Sequence, residues 1–349
     1  MKKVLVTGGA GFIGSNFIRY LTGTHKDWVL VNLDALTYAG NLQNLDDLNA
    51  NRNHVFIRGD ITDRKLVTSL FSEYSFDYVV NFAAESHVDR SIKQPEVFIV
   101  TNVLGTQCLL DCAKENWQTG KGQQGYPTYR DGVKYLQVST DEVYGALGKS
   151  GLFTESTPLA PNSPYSASKA SADLLVRAYN KTFKLPVNIT RCSNNYGPYQ
   201  FPEKLIPLMI GNAVDGKPLP VYGDGMQIRD WLHVSDHCCA IDTVLKKGKN
   251  GEVYNIGGNN EKANIDIVKL ILNNLGKSEK LIKHVEDRLG HDRRYAIDNT
   301  KITSELGWSP AYTFEQGIEE TIKWYMDHKE WLANVRDGSY VEYYNQYYS

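Results

Sequence analysis

The 349-residue chain has few cysteines, no sustained apolar run and no excess of charge of either sign. Its five cysteines, Cys108, Cys112, Cys192, Cys238 and Cys239, are odd in number and include no C-x-x-C pair. That argues against a zinc site, a dithiol redox centre or a disulfide framework, so buried reduced thiols and no metal are expected. No stretch reaches the roughly 18 apolar residues of a membrane span. The early run Val4-Leu5-Val6 stops at Thr7-Gly8, too short for the core of a signal peptide. A soluble, cytoplasmic protein with no membrane partner is expected. Lys and Arg number 38 against 40 Asp and Glu, a formal net charge of −2, so no nucleic-acid partner is expected and any phosphate must be held locally. Internal repeats, low-complexity tracts and Gly/Ser linkers are missing too.

What is present is a rhythm of short β-rich runs and longer amphipathic segments. The runs are Lys3 to Thr7, Val29 to Asp34, Val55 to Arg58, Tyr78 to Phe82, Lys134 to Ser139 and Val187 to Arg191, with Gly14 to Leu21 and Val100 to Lys114 among the segments between them. This alternation predicts an α/β fold, a doubly wound parallel sheet of the Rossmann type. From about Ser193 prolines and glycines break the rhythm, and a smaller, irregular α/β lobe is expected to carry substrate contacts. The expected division assigns 1–192 and about 228–258 to the nucleotide-binding domain, and about 193–227 and 259–349 to the lobe. Asn264 to Leu275 reads as a helix with Asn264 as N-cap, Thr313 to His328 as a late amphipathic helix, and Gln118 to Arg130 as a polar surface insertion.

Directly after the first run comes Gly8-Gly-Ala-Gly11-Phe12-Ile13-Gly14. Glycines at this spacing permit a tight strand-to-helix turn and let backbone approach a pyrophosphate at a helix N-terminus. Asp34, twenty residues beyond Gly14, ends the second run, where a carboxylate can accept hydrogen bonds from an adenosine ribose; this favours NAD over NADP. The bland alternative is that Asp34 caps the segment after it. Asp60 and Ile61 follow the third run, where an adenine edge could be read, although Asp60 could equally be a loop cap. Ala83 and Ala84 after the fourth would let a cofactor approach closely or simply pack.

Tyr165-Ser-Ala-Ser-Lys169 sets a phenol and an ammonium one helical turn apart. The lysine's charge is expected to lower the phenol's pKa, so that Tyr165 removes a hydroxyl proton as hydride leaves the same carbon. Ser139-Thr140-Asp141-Glu142-Val-Tyr144-Gly145 follows the Lys134 run, at the ligand-binding end of a parallel sheet. Thr140 can bond the reacting hydroxyl, and two adjacent carboxylates can divide acid and base roles.

On these segments, with Ala83 to Ser91 and Cys192 to Pro198, the chain resembles the extended short-chain dehydrogenase/reductase family and, within it, the dTDP-glucose 4,6-dehydratases. The resemblance implies tightly bound NAD, recycled in each turnover, held also by Ala35, Leu36, Thr37, Thr101 and Asn195. It implies a nucleotide-sugar substrate, dTDP-glucose, held by Ser86, Asn194, Lys204, Leu205, Pro220, Val221, Tyr222, Arg229, Asn264, Asp287, Arg288, Gly290 and His291, and a homodimer. Arg229 and Arg288 have the chemistry to pair with phosphate, and Tyr222 offers a surface to a base. Leu289 stands where the family usually carries proline. The implied reaction oxidises C4 with Tyr165 as base, removes water across C5 and C6 with Glu142 as base and Asp141 as acid, and returns hydride to C6. A nucleotide-sugar 4-epimerase or a dehydratase of a UDP- or GDP-linked sugar is the alternative, and Asp141-Glu142 argues against the epimerase. A non-catalytic nucleotide-sensing module could dispense with Tyr165, Lys169 and both acids.

Overall fold

The computed structural model describes residues 1–48, 50–122, 124–287 and 292–336. Strands run β1 Lys3–Thr7, β2 Val29–Asp34, β3 His54–Arg58, β4 Tyr78–Asn81, β5 Gln118–Lys121, β6 Pro127–Tyr129, β7 Lys134–Thr140 and β8 Val187–Cys192. After these come β9 Asn194–Tyr196, β10 Leu219–Tyr222, β11 Ile228–His233, β12 Val253–Ile256, β13 Glu261–Ala263 and β14 Ile282–Val285.

Strands β1, β2, β7 and β8 are buried nearly throughout, as strands covered on both faces must be. They belong to one seven-stranded sheet, ordered β12-β8-β7-β4-β1-β2-β3, with every pair parallel. Helices Phe12–Thr24 and Val234–Lys247 bury Phe17, Ile18, Val234 and Ile241 against one face. Helices Arg64–Tyr74, Thr106–Trp117 and Pro164–Phe183 bury Leu70, Phe71, Leu109, Trp117 and Val176 against the other. Chain order runs outward in opposite senses from β1 and from β4, so a crevice opens between their carboxyl ends; ligands bind at such switch points. A third core joins helices Leu205–Asp215, Asn264–Asn274, Phe314–Asp327 and Lys329–Arg336. The lobe's own strands form a parallel pair, β10 with β14, and a three-stranded sheet, β13-β11-β9.

Four details add to or depart from the sequence reading. Within the polar surface insertion Gln118 to Arg130, β5 and β6 pair as an antiparallel hairpin. The N-cap of Asn264–Asn274 is Ala263, and the Asn264 side chain makes no capping bond. The segment Val100 to Lys114 is helical, but Ile99–Gly105 is wound as π-helix, a form that often marks functional sites. Finally, Pro95–Trp117 is one helical run of 23 residues with mean hydropathy 1.2, long and apolar enough to cross a membrane by length and composition alone. Half of it is buried inside the fold. Polar Asn102, Gln107 and Asp111 interrupt the run in the sequence, which is why no span was expected.

Candidate active site

The glycine turn forms one end of the crevice. Gly8 has φ +70°, and a Cβ there would lie 2.6 Å from the amide nitrogen of Ala83; one on Gly14 would lie 2.3 Å from the carbonyl oxygen of Gly8. The fold therefore requires both glycines. A Cβ on Gly11 would meet only the Gly8 carbonyl, at 3.3 Å, and Gly11 lines the cleft. Its bareness leaves room for a ligand at the first turn of the helix, where unbonded amides and the helix dipole favour phosphate.

Asp34 caps the segment after it, the second of its two readings. Its carboxylate accepts from the Ala10 amide at 2.9 Å and from the Leu36 amide at 2.8 Å, fixing the next loop, and it also faces the cleft. Burial raises its pKa, and the two amides work against that. Leu36, held by this bond at φ +53°, does not line the cleft, whereas Ala35 and Thr37 do. Asp60 is a loop cap, accepting from the Thr62 amide and hydroxyl, both at 2.8 Å, and lines the cleft with Ile61. Phe12, Ile13, Ala83, Ala84, Thr101 and Asn195 line it as well, giving a cavity of about 330 Å³.

At the carboxyl end of β7 Thr140 caps the start of a 3₁₀ turn, Asp141–Tyr144. Its hydroxyl accepts from the Glu142 amide and donates to Asp141, both at 3.3 Å. Asp141 is only 2% exposed and one of its oxygens has no hydrogen-bond partner. Burial first, then Glu142 and Asp230, push its pKa well above the ordinary aspartate value, which favours the protonated acid. The turn is braced from behind: the Tyr144 hydroxyl donates to Asn255 on β12 at 2.8 Å and accepts from Arg191, itself paired with Asp173.

Helix Pro164–Phe183 brings Tyr165 and Lys169 to Thr140. It begins with a capping box, Ser163 with Ser166, and Pro164 in its first turn. Lys169 is buried and donates to the Val138 carbonyl at 2.7 Å; burial lowers its pKa. The expectation that this lysine sets a low phenol pKa is corrected. Burial, then Glu142, Cys192 and Asp141, hold Tyr165 well above the ordinary tyrosine value, and a bond with Thr140 opposes them. Desolvation of the phenolate outweighs an ammonium whose own charge burial disfavours.

Several cleft residues went unread in the sequence. Glu85, Ser139, Cys192, Ser193, Gln200 and Glu203 all line it. Glu203 is buried beside Lys204 and accepts from Tyr38 at 3.2 Å; Arg90 stacks 4.1 Å from the Tyr38 ring and pairs with Glu85 at 3.3 Å. Lys204 reaches the Ser86 carbonyl at 3.3 Å. Glu85 and Arg90 lie within the Ala83 to Ser91 segment, and adjacency to Lys204 could have flagged Glu203; Tyr38 carried no signal.

Ser86, Asn194 and Lys204 line the cleft among the expected substrate residues, whereas Leu205, Pro220, Val221, Tyr222, Arg229, Asn264 and Asp287 do not. Val221 is core, 2% exposed. Arg229 spends two donors on the Ile228 and Asp292 carbonyls and packs 4.3 Å from the Tyr295 ring. Asp287 accepts from Gln227 at 3.0 Å. Arg288, Gly290, His291 and the departure at Leu289 lie outside the described residues.

The site thus pairs a dinucleotide cradle with a phenol, a lysine and a carboxylate pair. The model of the GDP-mannose 4,6 dehydratase family matches residues 5–321. A dTDP-glucose 4,6-dehydratase of Xanthomonas campestris pv. campestris is 58% identical, over 97% of each chain. Among solved structures, dTDP-glucose 4,6-dehydratase from Bacillus anthracis, in complex with NAD, is similar with 53% identity and a TM-score of 0.87, over 96% of this chain and 100% of that one. DesIV, the dTDP-glucose 4,6-dehydratase of Streptomyces venezuelae with NAD and dTDP bound, has 48% identity and a TM-score of 0.88, over 95% and 99%. Nearly end-to-end identity at this level, together with the acid pair beside the Tyr/Lys helix, places the chain in the dTDP-glucose 4,6-dehydratase family.

Proposed function

We propose that the chain converts dTDP-glucose to dTDP-4-keto-6-deoxyglucose and water with NAD held in the cleft. The observation that carries this reading is the buried, high-pKa Asp141 joined through Thr140 to Tyr165, with Glu142 next to it. NAD supplies a hydride acceptor at C4 and a donor at C6, and its positive ring would favour the phenolate that burial disfavours. Tyr165 takes the proton of the 4-hydroxyl, with Lys169 and Thr140 holding it in place. Glu142 takes the C5 proton, made acidic by the new ketone, and Asp141 gives its proton to the departing 6-hydroxyl, which leaves as water. Glu142 then returns its proton to C5. The proton on Tyr165 resets Asp141 through the Thr140 hydroxyl, so every residue ends as it began.

The same reading gives 1–192 and about 228–258 to NAD, and about 193–227 and 259–349 to the nucleotide sugar. It places the protein in the cytoplasm, where nucleotide sugars are made. A second copy covers the apolar face on which Ile92, Val97, Ile99, Val100, Leu104 and Leu174 are exposed from helices packed side by side, a surface suited to self-complementary pairing. To test the activity, the purified protein is incubated with dTDP-, UDP- and GDP-glucose and the product masses are followed. Loss of one water from dTDP-glucose without added reductant is expected; an unchanged mass with inverted C4 would overturn the reading in favour of an epimerase.

A further inference from the structure

The carbonyl of Ala10, in the middle of the glycine turn, is held from the far end of the chain. It accepts from the Asn44 side-chain amide at 2.9 Å and from the Asn41 backbone at 3.0 Å. The oxygen of that same Asn44 amide accepts from the indole nitrogen of Trp331 at 2.9 Å. Asn44 is 2% exposed and Trp331 8%, so water does not compete for either bond. Trp331 lies in helix Lys329–Arg336, beyond residue 321 where the matched family model stops. Its ring is wedged among Tyr199, Trp324 and Tyr325, with centroids 5.8, 5.2 and 6.1 Å away. Arg19 packs 4.3 Å from the Tyr199 ring, returning the cluster to the helix that the glycine turn opens.

The chemistry of Asn44 explains why both bonds matter together. An amide side chain has an acceptor and a donor on opposite atoms, and the indole fixes which one faces Ala10. With the amide so oriented, the plane of the Ala10–Gly11 peptide is set. Gly11 caps helix Phe12–Thr24, so that plane aims the first-turn amides of Phe12 and Ile13 at the place of the diphosphate. The Ala10 amide meanwhile donates to Asp34, so one residue joins the ribose carboxylate on one side to the indole on the other.

We propose that Trp331, acting through Asn44, is a positioning residue for the glycine turn, so that the C-terminal helix sets how long the chain retains its dinucleotide. The proposal rests on the reading that the cleft holds NAD. It is tested on the holoenzyme by chasing bound NAD with labelled NAD and timing its loss, with no sugar present. Trp331→Phe keeps the ring packing but lacks the donor, and NAD should leave roughly five- to tenfold faster, the worth of one buried hydrogen bond. Asn44→Leu should behave alike, and the double variant should be no faster than Asn44→Leu alone, because both substitutions break one chain of bonds. Turnover should return to within about twofold of the parent when NAD is added in excess, as expected when cofactor retention and not chemistry is altered. A merely structural tryptophan would lower the melting temperature and leave the NAD chase unchanged. That result, or additive effects in the double variant, overturns the proposal. A parent protein that retains no NAD overturns this proposal and the functional reading together; normal NAD retention without dehydration overturns only the latter.

Discussion

Asp141 and Glu142 are neighbours in sequence with different environments, and their roles follow from that difference. Asp141 is sealed beneath Thr140, while Glu142 is half-buried on the cleft wall. A raised pKa means that Asp141 keeps its proton to higher pH than an ordinary aspartate and loses it as pH rises through the raised value, so elimination should fall on the alkaline side before C4 oxidation does. Glu142→Gln should reduce turnover by about 10²–10⁴, the usual worth of a positioned base. C4 oxidation, read from the absorbance of reduced cofactor, should persist in that variant; unimpaired dehydration would reject Glu142 as the C5 base. A second buried charge acts on stability. Lys134, on β7, donates to the Val244 and Gly248 carbonyls, and burial lowers its pKa to about 8. Between about 8 and the ordinary lysine value the unfolded chain binds more protons than the folded one, so this residue's contribution to stability rises with pH there. Urea unfolding at the two ends of that window should show the slope in the parent and its loss in Lys134→Met. The spacing of Tyr165 and Lys169 was legible from the sequence because one helical turn is a local property. The phenol's pKa was not, because burial is assembled from β7, β8 and the Asp141–Tyr144 turn, distant in sequence.

Ser163 shows how a single cap serves catalysis. It accepts from the Ser166 amide and fixes the helix start two residues before Tyr165. Ser163→Ala should cost about 1 kcal/mol of stability by thermal unfolding, and turnover should fall more than NAD retention, since the frayed turn carries the phenol and not the glycine loop. Equal losses in both would count against this. Elements with strong local signals were readable: the amphipathic period of Thr313 to His328 marked Phe314–Asp327, and short apolar, β-rich runs marked β1 to β4. The short strands β9, β10, β13 and β14 have three or four residues each, too few to show a period. The β5–β6 hairpin escaped for the same reason, and the π turn depends on packing against helix Pro164–Phe183.

At the scale of the molecule, the apolar face around Leu104 should decide the assembly state. Leu104→Glu with Leu174→Glu places charges where like surfaces would meet, and the mass by light scattering should fall from twice the chain mass of 39.3 kDa to that of one chain. An unchanged mass would put the contact elsewhere. The expected diphosphate patch shows the limit of reading charge alone: Arg229 has the right chemistry, yet its guanidinium is committed to two carbonyls that no sequence pattern announces.

The bond from Tyr144 to Asn255 has a consequence for the order in which the molecule is built. The strands that shape the glycine turn and Asp34 lie at one side of the sheet and are all complete by residue 81. The brace of the acid turn waits for β12, a sheet edge contributed by residues 253–256. Pairing so remote in sequence closes a long loop and comes late in folding. A refolding chain should therefore regain the ability to capture dinucleotide before it regains the ability to expel water, passing through a stage that can hold its cofactor but cannot yet carry out the elimination.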